Sequence, residues 1–325
     1  MLKSEATAAV PLKKSRPLNL NLRFKQFLKQ LWSYRMSYFF LAPFVITFTL
    51  FVIIPVSLAI LLSFTYFNAL EFPKWVGWNN YLYLLSQDLI FLKYSLPNTI
   101  KFALIVGPGG YIASFILAWL IAQLPNTART FYALAFYSPS LAAGAAMTAV
   151  WVPLLAGDRI GYLNSFLLNL GIIDQPVLWV TDPAFLMGSM IVVTLWASMG
   201  VGFLAQLAGV LNVNKELYEA GAIDGISSRL QQIWYITIPS MKPQMLFSAV
   251  MAIVNTFKAG LIGGDLSGTF PTPQYAGHVM MSHIKDYADV RFEMGYASAV
   301  SVFLLVMMFV ANKLSTRLFG TRGDE

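Results

Sequence analysis

The sequence predicts an all-α polytopic membrane protein with about six transmembrane helices. Three observations carry this. Apolar residues make up 57% of the 325 residues and charged ones only 11%, where a soluble domain has about 45–50% and about 25%. Mean hydropathy is +0.63. Six long stretches contain no Asp, Glu, Lys or Arg, and a helix crosses the roughly 30 Å hydrocarbon layer with about 20 apolar residues. A globule of this size could not hide so much apolar surface behind so few charges. That excludes an ordinary soluble enzyme, a disordered tail and a nucleic-acid binder, despite a net charge of +7. With no Cys and two His, the chain has no disulfide framework, thiolate site or thiol nucleophile. It also has little to offer a metal.

The predicted spans are Tyr38–Phe64, Phe102–Gln123, Phe131–Ala156, Ala184–Leu211, Gln244–Phe257 running on toward Gly263, and Met294–Asn312. A single central charge would cost about 2.5–3.5 kcal/mol on insertion, so charge-free stretches are informative. Lys258 interrupts the fifth. Pro108-Gly109-Gly110 in the second marks a kink or a close helix contact. Six crossings place both termini on one side. That side, with the second and fourth loops, holds fifteen of the 22 Lys and Arg. The positive-inside rule makes it cytoplasmic. The expected location is a cell membrane, spanned several times with both termini inside. The N-terminus is long and polar, unlike a cleavable signal peptide.

Before the first span, Phe24, Phe27, Leu28, Leu31 and Trp32 recur at helical spacing among Arg23, Lys25 and Lys29. This predicts an interfacial helix on anionic lipid, or else a partner-docking arm. The first outer loop is rich in aromatic residues (Tyr66, Phe67, Phe72, Trp75, Trp78, Tyr81, Tyr83) and reads as an interface belt or a docking surface. In the last outer loop His278 and His283 stand five apart. That spacing does not align two rings on one helical face, so a metal site is not expected there.

The fourth loop, about 212–242, has helix punctuation that a passive tether lacks. Asn214 suits a cap, with Glu216 in the first turn. Gly225 suits a left-handed stop. Ser228 with Gln231 suits a capping box. Pro239 is expected to end the second short helix, and Pro243 to open the next span. Two short helices bent at a glycine make a knob that either docks on a cytoplasmic partner or merely caps the bundle.

Glu219-Ala220-Gly221, three residues, Gly225, then Ile236-Thr237-Ile238-Pro239 resembles the EAA loop of ABC importer permeases. That family's pattern is Glu-Ala-Ala, three residues, Gly, nine residues, then Ile-x-Leu-Pro. Here Gly221 stands for the third Ala, Ile238 for Leu, and ten residues separate Gly225 from Ile236. The extra residue would turn later positions by about 100° on a continuous helix and is expected to be absorbed at the Gly225 bend. Gly77-Trp78-Asn79-Asn80-Tyr81, Asn98-Thr99, Pro139, Trp151, Gly161, Asn164, Trp179, Thr181-Asp182-Pro183 and Glu293 through Ala299 look like the maltose-type sugar branch. The resemblance covers roughly 38–317.

The resemblance implies the type I importer architecture and a non-catalytic permease subunit. The chain would be half of a pore completed by a second permease, in a heterodimer. Two ABC ATPase subunits and an external solute-binding protein would complete the transporter. No cofactor is implied. Glu219, Ala220, Gly221, Asp224, Gly225 and Pro239 would meet the ATPase. The domains would be a basic segment 1–36, a permease domain 37–317 and a tail 318–325. The chain has no phosphate-binding loop of its own. A sugar path wants aromatic faces and neutral hydrogen-bonding groups. Trp196, Ser198 and Gln206 of the fourth span and Asn255 and Thr256 of the fifth fit that, or serve packing. Lys258 either snorkels outward or meets substrate. An ABC permease for another solute is the nearest rival. An ion-coupled transporter would want midplane charges, and a membrane enzyme would want acid/base or metal pairs such as H-E-x-x-H.

Overall fold

A computed structural model describes residues 33–142 and 144–319. The predicted interfacial helix before residue 33 lies outside them, as does the end of the tail. The chain forms two compact units, one ending at Ser57 and one running from Leu58. The first is built on most of helix α1 (Arg35–Leu62). Pro43 removes one backbone donor within α1. Thr47 Oγ1 donates back to the Pro43 carbonyl at 2.8 Å, so its own hydroxyl is satisfied within the helix, where lipid offers no partner.

The second unit opens with a two-residue hairpin, β1 (Thr65–Tyr66) antiparallel to β2 (Lys74–Trp75). This small departure from an all-α fold sits under the ring cluster Phe64, Trp75, Trp78 and Tyr81. Helices follow: α2 (Asn79–Ser86), α3 (Phe91–Ala122), α4 (Asn126–Tyr137), α5 (Gly144–Leu154), α6 (Tyr162–Asn169), α7 (Pro183–Ala197) and α8 (Val201–Leu211). The short pair α9 (Lys215–Ile223) and α10 (Arg229–Gln232) comes next, then α11 (Lys242–Lys258), α12 (Ile262–Ser267), α13 (Met280–Lys285) and α14 (Met294–Phe319).

Among the described residues four helical runs are long and apolar enough to cross a membrane: α1, α3, α11 with α12, and α14. The third and fourth predicted spans are each broken. The third breaks after a 3₁₀ turn at Ser138–Leu141 that holds Pro139. The fourth bends by 47° between α7 and α8, at Ser198-Met199-Gly200. Counting each pair once gives the six crossings expected. The second span starts eleven residues earlier than predicted, because α3 extends outward past Lys101 and Lys93 to Phe91.

Lipid tails are as apolar as leucine, so helices in a membrane associate by close packing rather than by escape from water. Glycine provides the approach. A Cβ at Gly110 would come 2.8 Å from Ser198 Oγ, one at Gly202 2.9 Å from Ser248 Oγ, and one at Gly209 3.0 Å from Met241 Cε. The Pro108-Gly109-Gly110 run is therefore a packing face within an unbroken α3. Gly202 and Gly209 lie two turns apart on one face of α8 and seat it on α11. Gly202→Leu is expected to lower the melting temperature of the solubilised protein, at a cost of about 1–3 kcal/mol for overpacking. An unchanged melt would show that the α8–α11 seam can spread.

Asn164, fully buried on α6, organises the segment between the third and fourth spans. Its amide protons serve the carbonyls of Ala156, Asp158 and Val177, and its oxygen accepts from the Val177 N–H and Trp179 Nε1.

Candidate functional site

A cavity of about 540 Å³ lies where α3, α7, α8 and α11 meet the turn after α4. Its volume is in the range of a small-molecule site. The polar part of its wall is Tyr111, Ser114, Ser140, Thr194, Ser198, Ser248, Asn255, Thr256 and Lys258. Of the residues singled out in the sequence, Ser198, Asn255, Thr256 and Lys258 line it. Trp196 and Gln206 do not. Trp196 packs edge-on against Trp151. Gln206 is wholly buried, and its amide has no partner among the described residues.

The hydroxyls share one chemistry. Ser140, Thr194, Ser198 and Thr256 each donate back to a carbonyl three or four residues earlier. A hydroxyl so engaged still has acceptor lone pairs. The wall is thus rich in acceptors, with Asn255 and Lys258 supplying donors. Ser114, Ser140, Thr194 and Ser248 were not singled out in the sequence. An isolated small hydroxyl in an apolar span reads the same whether it faces a cavity or its own helix.

The fourth loop forms two short helices as its punctuation predicts. Asn214 accepts from the Glu216 N–H at 3.1 Å. Ser228 and Gln231 make the reciprocal capping box. At Gly225 φ is +92°. There the Ile226 N–H reaches the Gly221 carbonyl at 2.8 Å and the Gly225 N–H reaches that of Ala222 at 3.3 Å, the paired closure of a Schellman stop. Tyr218 and Thr237 hydroxyls meet at 2.9 Å, locking α9 onto the turn beyond α10.

Between Gly225 and Pro239 the chain makes a π-turn at Ile233–Thr237, which houses one residue more than an α-turn. One expectation about this loop is corrected. Pro239 does not end the second helix: one further turn, Ile238–Ser240, runs through it. Gly221 also gains a local reason. A Cβ there would lie 2.7 Å from Ile236 Cδ1, so this π-turn fills the space an alanine would occupy. Glu219, Ala220, Asp224 and Gly225 are exposed while Gly221 is buried, so the elbow offers one face outward. Ile223 at 87% and Leu230 at 69% exposure flank that face.

A third constellation was not foreseen. Asp88, 3% exposed, caps α3 by accepting the Phe91 N–H on Oδ1 at 2.8 Å. Its Oδ2 accepts from Tyr296 at 2.6 Å, His283 Nε2 at 2.9 Å and Tyr287 at 3.1 Å. One carboxylate therefore ties α3, α13 and α14 together. Burial opposes its ionisation, but His283, Tyr296 and the Phe91 amide outweigh that and hold the carboxyl well below the usual range. His283 Nδ1 in turn lies 3.3 Å from His278 Nε2, so the two rings share a hydrogen bond. The two rings do meet, although their spacing argued against it. Only His283 lies on α13, and the extended backbone at Val279 folds His278 back onto it. Burial pushes His278 down to about 4, with His283 adding and Asp88 opposing. Among the described residues no group of three His, Asp or Glu is placed to hold a metal.

No protein-family model matches the chain. Relatives do. The probable ABC transporter permease protein YesP of Bacillus subtilis is 31% identical over 284 residues, covering 84% of this chain and 86% of its own. The arabinooligosaccharides transport system permease protein AraP of the same organism is 26% identical over 292 residues, covering 89% and 90%. The fold is shared with a chain of the bacterial alginate ABC transporter, solved in complex with an alginate pentasaccharide-bound periplasmic protein. Its TM-score is 0.74 at 21% identity, over 90% of this chain and 98% of that one. With the spans and these relatives in agreement, the chain belongs to the ABC transporter permeases.

Proposed function

We propose that this subunit forms half of the translocation path for a sugar or oligosaccharide and receives its drive through the 212–242 elbow. The carrying observation is the cavity, whose wall of hydroxyls, one amide and one ammonium contains no carboxylate. A polyol donates to the hydroxyl lone pairs and accepts from Asn255 and Lys258. Glu219, Ala220, Asp224 and Gly225 form the outward face of the elbow, and Ile223 and Leu230 give it apolar grip on an ATPase subunit. ATP-driven closure then moves the elbow, and α8 carries that motion to the cavity. A second permease completes the path, a solute-binding protein supplies the sugar from outside, and both termini lie in the cytoplasm.

The assembled transporter in proteoliposomes tests this. Labelled oligosaccharide uptake should require ATP and binding protein, and a proton or sodium gradient alone should drive none. Gradient-driven uptake without ATP would overturn the reading.

A further inference from the structure

Gln206 is 0% exposed, and neither its amide nitrogen nor its oxygen has a hydrogen-bond partner among the described residues. An unpaired amide in an apolar setting is a standing penalty. Another state of the molecule that pairs it would offset that penalty. Gln206 stands one turn along α8 from Gly202 and Phe203, both of which line the cavity. That places it about 4.5–6 Å beyond them along the axis. Phe203 is itself fully buried and packs with Ala118, Ile121, Met199 and Leu207, which makes it the floor on that side.

The 47° bend separates α8 from α7 at Ser198-Met199-Gly200, on the cavity wall. Gly202 and Gly209 bring α8 close against α11. Its far end runs directly into the elbow.

We propose that Gln206 is a latent inner station for the sugar. It is sealed beneath Phe203 in the state described and bared to the path when α8 shifts, so that sugar hydroxyls and water complete its amide. This rests on the translocation reading above and goes beyond it in assigning the residue, its ligand chemistry and its state dependence.

The chain has no cysteine, so Gln206→Cys gives a single reporter on this subunit. The assembled transporter, with this subunit's reporter the only accessible thiol, is treated with a small hydrophilic methanethiosulfonate. One preparation is nucleotide-free and the other vanadate-trapped. Labelling should differ at least tenfold between the two, and transported sugar should slow the faster. Rates within twofold would overturn the proposal. Asn255→Cys is the control on the underlying reading. If sugar protects Asn255→Cys while Gln206→Cys labels alike in both states, only the inner station fails. If sugar protects neither, the cavity assignment fails as well. Gln206→Leu gives a second readout that needs no labelling. It should raise the melting temperature while cutting maximal uptake at least fivefold, with the half-saturating external sugar concentration unchanged. A lowered melt would mean the amide is already partnered at rest, and unchanged maximal uptake would mean no other state uses it. Either result overturns the proposal.

Discussion

Gly225→Pro is expected to leave the chain in its membrane and to cut sugar-coupled ATP hydrolysis by the assembled transporter at least tenfold. The spans lie apart from the elbow, so insertion is spared. The elbow itself cannot survive. Gly225 sits at φ +92° and donates to Ala222. Proline fixes φ near −65° and has no N–H. The Schellman closure opens, and Ile226 swings away from Gly221. Glu219→Lys should give the same loss by another route. Glu219 is exposed, so the fold stays intact and only the sign of the docking face changes. Gly225→Ala, which must hold a left-handed alanine at roughly 1–2 kcal/mol, should fall between wild type and proline. ATPase rates with and without sugar-loaded binding protein check all three. Normal coupling in both Gly225→Pro and Glu219→Lys would remove the elbow from the mechanism.

Asp88→Asn should be the most destabilising single polar change where α3, α13 and α14 meet, at about 3–5 kcal/mol, as when one member of a buried charged network is removed. The carboxylate accepts four donors from three helices. An amide turns at least one N–H against them. Tyr287→Phe removes one donor only and should cost about 1–2 kcal/mol.

The same network sets the pH response. Asp88 is held below its ordinary range, so its contribution is complete above about pH 4, the unfolded value, and is lost as pH falls. His278 is pushed down to about 4 from an unfolded value near 6.5. Between those values the unfolded chain takes up a proton that the folded chain refuses. Stability should therefore be flat above pH 7 and fall from about 6.5 toward 4, by an amount on the order of 3 kcal/mol from His278. Melting temperatures across that range check it, and His278→Phe should flatten the upper part of the slope. An identical slope in His278→Phe would refute the assignment.

The spans and the elbow were legible in the sequence because their signals are local. A charge-free run must be long enough for the bilayer, and a cap such as Asn214 or Ser228 acts on an amide two or three residues away. Asp88 shows the limit of such reading. Its bond to the Phe91 N–H is local. Its partners His283, Tyr287 and Tyr296 stand about 200 residues on, and nothing local joins them. The π-turn was invisible for a related reason. It goes with Ile236 packing over Gly221, fifteen residues away in the chain.

By itself the sequence determined that the chain spans a membrane, roughly where it crosses, and that a glycine-bent elbow sits between the fourth and fifth spans. Hydropathy and backbone stereochemistry fix these residue by residue. Only the tertiary structure decided which polar groups share a cavity and which are sealed from it. Ser198 and Gln206 are both neutral polar residues in one span. A bend and two glycines turn the first toward open space and bury the second between helices, and that choice belongs to the packing.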